Sequence, residues 1–392
     1  MKIFLDCLAS KPCMSVGTNA FIISDIQLLN RKYPGCETVL FSSNPKIDRL
    51  QFGYLPYKIT YVKRSANQLR AMFQLRRIIR KVDAVISAWG DGYITVPPYK
   101  LLRKSIFLKK KNKPLILFTS SIGPFDGGFK DKLAAIGLRL FDVVTVRDQI
   151  TYDYLKPYRL KKLRIVHDTA FVLEPCKSQR SSELLKQTGL DGERFIGLNI
   201  SILLHDIFVQ QGKSYLELIV KYISWIREKI GLPVVLIPHQ IYPTGVPHTQ
   251  EEYSSRDGDD RYVIEMILKH MRDKTGVYAL TQEVMPHELK GVIGKSEMLI
   301  GGRMHSIIAG VSLAVPSLVM QYSHKSGGMM QLLDMDDCVW DINNSLDDLI
   351  TKTHRLWKER EAVHKKYRDM MPGIYKEIYG LADEIKAVSG VL

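Results

Sequence analysis

The hydrophobic positions of this chain follow two alternating rhythms. Short runs of aliphatic and β-branched residues at Lys2–Leu5, Thr38–Phe41, Ala84–Ser87, Leu115–Thr119, Val143–Val146 and Leu163–Val166 read as strands. Between them, stretches such as Gln68–Lys81 and Lys130–Leu140 place apolar residues at helical spacing. A polar, irregular stretch, Glu174 to Arg194, reads as a linker region. The pattern then restarts, with strands expected at Phe195–Asn199, Val234–Ile237, Val277–Leu280, Met298–Ile300 and Ser317–Met320, and helices such as Tyr215–Lys229 and Tyr262–Met271 between them. A charged helical segment, roughly Ser345 to Val388, closes the chain and is interrupted near Pro372–Gly373.

Strands alternating with helices predict βαβ units and mostly parallel sheets covered on both faces. The fold class expected is therefore α/β, with two Rossmann-like doubly wound domains facing a cleft. The expected boundaries are 1–175 for a basic first domain, 190–345 for the second and 346–392 for a C-terminal helical segment. A length of 392 residues, beyond the usual reach of one core, agrees with two domains. In such folds the carboxyl ends of strands and the amino ends of helices line the cleft.

Composition narrows the classes. No stretch reaches the ~20 apolar residues needed to span a bilayer; the longest candidate, Ile307 to Met320, contains Pro316. Asp6 interrupts the short apolar run at the N-terminus, so no signal peptide is expected. The five cysteines form no CxxC pair and read as reduced thiols of a cytoplasmic protein. Charge changes the picture more. Residues 1–175 hold 30 Lys and Arg against 13 Asp and Glu, a net of +17, whereas the remainder holds 26 against 28, a net of −2. Gln51 to Val82 carries eight basic residues and no acid, and Lys100 to Lys113 carries seven more. Such a field attracts nucleic acid, an anionic membrane face or a phosphorylated substrate, and a solvated helix surface is the plainer alternative for any single lysine.

Familiar motifs are missing. Gly291–Ser296 reads GVIGKS, but a phosphate-binding P-loop needs glycine where Leu289 stands. No GxGxxG follows a strand, no HExxH or Cys/His spacing suggests zinc, and no GxSxG marks a serine nucleophile. Neither a metal nor a redox cofactor is expected.

The informative segment is Ile300-Gly301-Gly302-Arg303-Met304-His305-Ser306, where an apolar strand turns through two glycines into a small-residue helix. A junction of this kind exposes backbone N–H groups and the positive end of a helix dipole, which suits phosphate or carboxylate. Arg303 can hold an anion bidentately, and His305 can transfer a proton near neutral pH. The plainer alternative pairs Arg303 with a local carboxylate and leaves His305 as a helix cap. Two further cations stand at strand ends, Lys325 after Ser317–Met320 and Arg147 after Val143–Val146. His239, after Val234–Ile237, is a candidate to line the cleft or to sit in the core. Asp91 and Asn199 are candidates to contact acceptor hydroxyls, and Trp89 to pack or to stack on a sugar. Asp259 and Asp260 read as caps of a following helix.

Gly90-Asp91-Gly92, Ser121-Ile122-Gly123-Pro124, Val146-Arg147-Asp148, His167-Asp168-Thr169-Ala170-Phe171, Ile237-Pro238-His239, Gly302-Arg303-Met304-His305-Ser306 and Tyr322-Ser323-His324-Lys325 occur in this order. Together, from about Asp83 to Asp336, they resemble the polysaccharide pyruvyl transferases. The resemblance implies an architecture similar to the GT-B glycosyltransferases, phosphoenolpyruvate as donor and a ketal-linked pyruvate on a sugar as product. Carried over position by position, it makes His305 the catalytic acid and Arg147, Arg303 and Lys325 the donor-binding residues. The chain departs from the family pattern at Gly17-Thr18-Asn19-Ala20-Phe21 and at Ser87-Ala88-Trp89-Gly90-Asp91. Both places lie in the N-terminal half, the side expected to hold the acceptor.

A sugar acceptor carried on a lipid pyrophosphate, met at the inner membrane face, would suit the basic first domain. Peripheral contact with anionic membrane is expected on the same ground, and no specific nucleic acid partner. Two readings compete: a nucleotide-sugar glycosyltransferase or epimerase of the same architecture, and a nucleic-acid-binding protein driven by the basic half. The second lacks an RNP-like aromatic stripe or a helix-turn-helix signature.

Overall fold

A computed structural model of the chain describes residues 1–7, 14–110, 112–125, 127–255, 258–322 and 324–389, the side chains at 95, 324–326 and 389 excepted. The strands are β1 (Lys2–Cys7), β2 (Met14–Ser15), β3 (Glu37–Ser42), β4 (Lys58–Lys63), β5 (Ala84–Ala88), β6 (Leu115–Leu117), β7 (Val143–Val146), β8 (Leu163–Ile165), β9 (Ile196–Asn199), β10 (Val234–Ile237), β11 (Gln240–Ile241), β12 (Val277–Ala279), β13 (Met298–Gly301), β14 (Ser317–Gln321) and β15 (Val339–Asp341). One parallel sheet has the order β4-β3-β1-β5-β6-β7-β8, and a second, also parallel, has the order β12-β10-β9-β13-β14-β15. β2 and β11 form a separate antiparallel pair.

The central strands β5, β7, β10 and β13 are buried along their whole length, as strands covered on both faces by helices must be. β4 closes one edge and carries exposed lysines at both ends, which discourages pairing with another sheet. Its sequence, KITYVK, has charge at each end and little burial, so the apolar pattern did not announce it. The Gln68–Lys81 helix begins where Asn67 accepts a hydrogen bond from the Arg70 N–H, and the Pro98–Leu108 helix begins on a proline, whose missing N–H is no loss in a first turn.

Two compact units result. Residues 1–7, 21–172 and 373 onward form the first, and residues 14–20 with 173–372 form the second. The boundaries differ from those read in the sequence. The supposed linker contains the Ser178–Gln187 helix, tied into the second unit by the Arg180–Glu288 ion pair and the Cys176 N–H to His287 carbonyl bond. The C-terminal segment is no separate body: its Leu346–Tyr379 helix runs through Pro372 because the apolar stripe Val363, Tyr367, Met371, Ile374, Ile378 stays buried on both sides of it. Residues 14–20, at the start of the chain, belong with the second sheet.

In each sheet the strand order reverses once. The reversal lies between β1 and β5 in the first and between β9 and β13 in the second. At such switch points the flanking loops part and leave a crevice at the carboxyl ends of the strands.

Candidate active site

At the switch point of the second sheet, β13 ends in Gly301 and leads through Gly302 into the Met304–Ser312 helix. A β-carbon on Gly301 would fall 2.5 Å from Asn199 Cβ, and one on Gly302 would fall 2.4 Å from Leu204 Cδ1. The glycine pair therefore exists to let this turn close against β9. Asn199, at the end of β9, uses that closeness. Its Oδ1 accepts from the Arg303 N–H at 3.1 Å and the Ser306 hydroxyl at 2.9 Å, and its Nδ2 donates to the Ile237 carbonyl at 3.0 Å. Asn199 is fully buried, so it fastens three strand ends together rather than meeting an acceptor hydroxyl, as its position in the sequence had suggested.

Asp260 is the second fastening. It opens the Asp260–His270 helix and is fully buried. One carboxylate oxygen accepts from the Ile202 N–H and from Arg303 Nη2, both at 2.9 Å; the other accepts from the N–H groups of His239 at 2.9 Å and Gln240 at 2.8 Å. A single carboxylate thus orients Arg303 and the His239 loop together. Sequence reasoning saw only a helix cap here, a role that falls to Asp259, which accepts from the Arg261 N–H at 2.9 Å. The clue available in the sequence was the adjacent acid pair, one more than a cap requires.

His305 lies in the first turn of the helix after Arg303. The ring of His239 is stacked nearly parallel to it, with centroids 6.5 Å apart. His239 is buried, and neither of its ring nitrogens has a hydrogen-bond partner among the described residues. Burial first, then the neighbouring His305 and Arg303, hold its pKa well below the ordinary histidine value, so the ring is neutral. The reading of His239 as a residue of the site gains support from those two unused nitrogens.

The start of the chain's first long helix, Val16–Lys32, completes the group. β2 pairs with β11 just after His239, and the Val16 N–H donates to the His239 carbonyl at 3.0 Å. Gly17 then rests on His305, where a β-carbon would come within 2.6 Å of Cβ, Cγ and Nδ1. Gly17-Thr18-Asn19 was read as part of the acceptor half; the structure places it in the second unit, against the expected catalytic histidine. Two helix amino ends therefore meet at one imidazole, beside a guanidinium and a neutral histidine. Such an array favours a small polyanion.

Lys325 follows β14 in the His324–Leu332 helix, but its side chain lies outside the described residues. Arg147 has a different employment from the one expected. It stands at the end of β7 in the first unit with a side chain only 2% exposed. Its Nε donates to the Ser121 hydroxyl at 3.0 Å, Nη1 to Asp168 at 2.5 Å and Nη2 to Asp91. Burial alone would weaken its charge; Asp91 and Asp168 more than reverse that and raise its pKa. All three faces of the guanidinium are occupied, so Arg147 clasps its own unit together instead of reaching for a donor. Asp148 beside it caps the Gln149–Leu155 helix through the Thr151 N–H at 2.7 Å and accepts from the Ser121 hydroxyl at 2.7 Å. Four sequence motifs, around Asp91, Ser121, Arg147 and Asp168, are one ion network. Asp91, about half exposed, keeps a face toward solvent while one oxygen holds Arg147.

No group of three or more His, Cys, Asp and Glu side chains arranged to hold a metal ion is found among the described residues. No helix among them is long and apolar enough to cross a membrane.

The family described as polysaccharide pyruvyl transferase matches residues 23–324. The amylovoran biosynthesis protein AmsJ of Erwinia amylovora is 21% identical over 296 residues, covering 74% of this chain and 68% of AmsJ. Among solved structures, the MnaA–UDP complex from S. aureus superposes with a TM-score of 0.61 at 12% identity, covering 100% of this chain and 98% of that one. The UDP-GlcNAc 2-epimerase of Methanocaldococcus jannaschii gives 0.60 at 11% identity, covering 90% and 92%. At such identities the likeness speaks to the fold alone, the two-Rossmann-like-domain architecture shared by GT-B glycosyltransferases and these epimerases.

Proposed function

The chain belongs to the polysaccharide pyruvyl transferase family, and from that premise we propose that it moves the pyruvyl unit of phosphoenolpyruvate onto a sugar of a cell-surface polysaccharide or its lipid-linked precursor, forming a ketal and releasing phosphate. The observation that carries this reading is the gathering of Arg303, His305 and a neutral His239 at the switch point of the second sheet, under two helix amino ends.

Phosphoenolpyruvate brings a carboxylate and a phosphate. Arg303, oriented by Asp260, binds one of them in this reading, and the helix amino ends offer N–H groups to the other. His305 gives a proton to C3 of the enol, which leaves C2 electrophilic. A sugar hydroxyl adds at C2 and its proton is relayed past His239, which stays uncharged, to an oxygen of the phosphate. The C2–O bond to phosphate breaks with its electron pair moving to phosphate, and a second hydroxyl closes the ketal. Of the two hydroxyl protons, one ends on C3 and the other on phosphate, so the histidines return to their starting states. Lys325 would add charge on the donor side.

The acceptor is placed on the first unit, whose basic surface suits a sugar on a lipid pyrophosphate at the cytoplasmic face of a membrane. Incubating the protein with phosphoenolpyruvate and a panel of sugars, and following phosphate release with the mass gain of one pyruvylidene group, tests the reading. Release of a nucleoside diphosphate from a nucleotide sugar, with phosphoenolpyruvate untouched, would assign the chain to the nucleotide-sugar chemistry of its structural neighbours instead.

A further inference from the structure

The switch point of the first sheet carries a site of its own. Between the carboxyl ends of β1 and β5 lies a cleft of about 500 Å³, walled by the Gln68–Lys81 and Pro98–Leu108 helices. Its floor is an organised polar group. Asp6, at the end of β1, accepts from the Ser87 hydroxyl at 2.8 Å and from the Trp89 indole N–H at 3.0 Å, and pairs with Lys104 Nζ at 2.8 Å. The same ammonium sits 3.0 Å from the centroid of the Trp89 ring, which in turn stacks on Tyr93 at 5.5 Å. Above this floor the walls are apolar, with Met72, Leu75 and Phe107. Arg64, Lys100 and Arg103 also line the cleft, and Asp6 is the only acid to do so among the described residues.

The outer faces of the same helices are equally particular. Leu69 and Phe73 on one are 65% exposed each, and Tyr99 and Ile106 on the other are 56% and 55% exposed. Arg70, Arg76, Arg77, Arg80 and Lys81 stand exposed among or beside them. Large apolar side chains interleaved with cations and free of acids are what a helix presents to the headgroup region of an anionic bilayer, where apolar area and surface potential act together. An ordinary solvated helix would expose the cations without the leucine and phenylalanine.

Resting on the proposed acceptor chemistry, we infer that this cleft binds a phosphate-bearing amphiphile drawn from an anionic membrane surface on which the two helices lie. The cations at its edge take the phosphate or diphosphate, the apolar wall takes the first part of the lipid chain, and Trp89 offers a flat face to the sugar beyond. Charge complementarity selects this occupant over a protein segment, because the cleft offers four cations, one of them already paired, and a single acid.

The test uses the intact protein without phosphoenolpyruvate. Calorimetric titration with dodecyl phosphate, below its aggregation limit, is compared with inorganic phosphate and with dodecanol. Sedimentation with phosphatidylcholine vesicles, with and without phosphatidylglycerol, is measured in parallel. Dodecyl phosphate is expected to bind at least about tenfold more tightly than either fragment, and the Arg64→Ala, Arg103→Ala double variant to lose about tenfold or more, each charge counting for about fivefold near an anionic surface. Leu69→Glu with Phe73→Glu is expected to abolish sedimentation with the anionic vesicles. Thermal unfolding of each variant separates lost binding from lost folding, and the wild-type comparison of the three probes needs no variant. Equal binding of dodecyl phosphate and inorganic phosphate, or unchanged binding in the Arg64, Arg103 variant, would overturn the inference. Because no donor is present, failure here leaves the transfer reaction standing, and absence of transfer leaves amphiphile binding standing.

Discussion

Gly17 lies directly against the imidazole of His305, so close that a methyl group in place of its hydrogen would stand 2.6 Å from the ring's Nδ1 and Cγ. The two residues are far apart in the chain. Their contact joins the amino end of the first long helix to the amino end of the helix carrying the proposed acid.

That contact decides the outcome of Gly17→Ala. In a free helix the change would stabilise by about 1 kcal/mol. Here the added carbon displaces the His305 ring, an overpacking cost of about 1–3 kcal/mol. The variant is expected to unfold at a slightly lower denaturant concentration than wild type, with a larger loss in kcat than in stability. Unfolding and steady-state kinetics measured side by side check the split.

Replacement of His305 by alanine removes the proposed proton donor. Transfer is expected to fall by about 10²–10⁴-fold while the unfolding midpoint stays close to wild type. Near-normal product formation would dismiss His305 as the acid.

Asp260→Ala removes four hydrogen bonds at once, the one that orients Arg303 among them. A stability loss of about 3–5 kcal/mol is expected. Asp260→Asn keeps the shape and some acceptor capacity, so it should fold and show a changed KM for phosphoenolpyruvate. Equilibrium unfolding of both variants is the measurement.

His239 predicts a pH dependence of known sign. Its pKa in the folded protein is depressed by burial and by the neighbouring His305 and Arg303, so below the unfolded value of about 6.5 the unfolded chain binds a proton that the native state refuses. The stability it confers is intact above that pH and declines as pH falls, by at most about 1.4 kcal/mol per unit. Urea unfolding at descending pH should show this slope in wild type and a shallower one in His239→Asn. Identical slopes would mean that the ring is not held neutral.

Arg147 is predicted to matter for folding. Arg147→Ala removes the guanidinium paired with Asp168, which is 3% exposed, at a cost of about 3–5 kcal/mol. Adding Asp168→Asn to the alanine variant should recover part of the loss, and a double-mutant cycle on unfolding free energies measures the coupling.

Much of the architecture was legible in the chain. Buried parallel strands such as Val143–Val146 and Val234–Ile237 are continuous apolar runs, and their neighbouring helices carry a regular stripe, so local pattern suffices to find them. The edge strand β4 and the short β15 were not announced, because an edge is half solvated and three residues carry no period. The Gly-Arg-x-His junction was found because its chemistry is local: strand end, glycine turn, helix start, cation and imidazole follow one another within a few residues.

Whether each charged residue is available or already engaged could not be read that way. Arg147 and Arg303 look alike in sequence, each a cation at a strand end. Arg147 meets two carboxylates, from 56 and 21 residues away, and is consumed by them; Arg303 is aimed by Asp260, 43 residues away. Asn199 looked like a ligand and is a fastening, while Gly17 looked remote and touches the site. The sequence by itself determined the two parallel sheets and the strand–turn–helix junction, since short-range pattern and backbone geometry specify both. The tertiary structure alone decided which polar groups remain for a substrate, because that depends on partners brought together from distant parts of the chain.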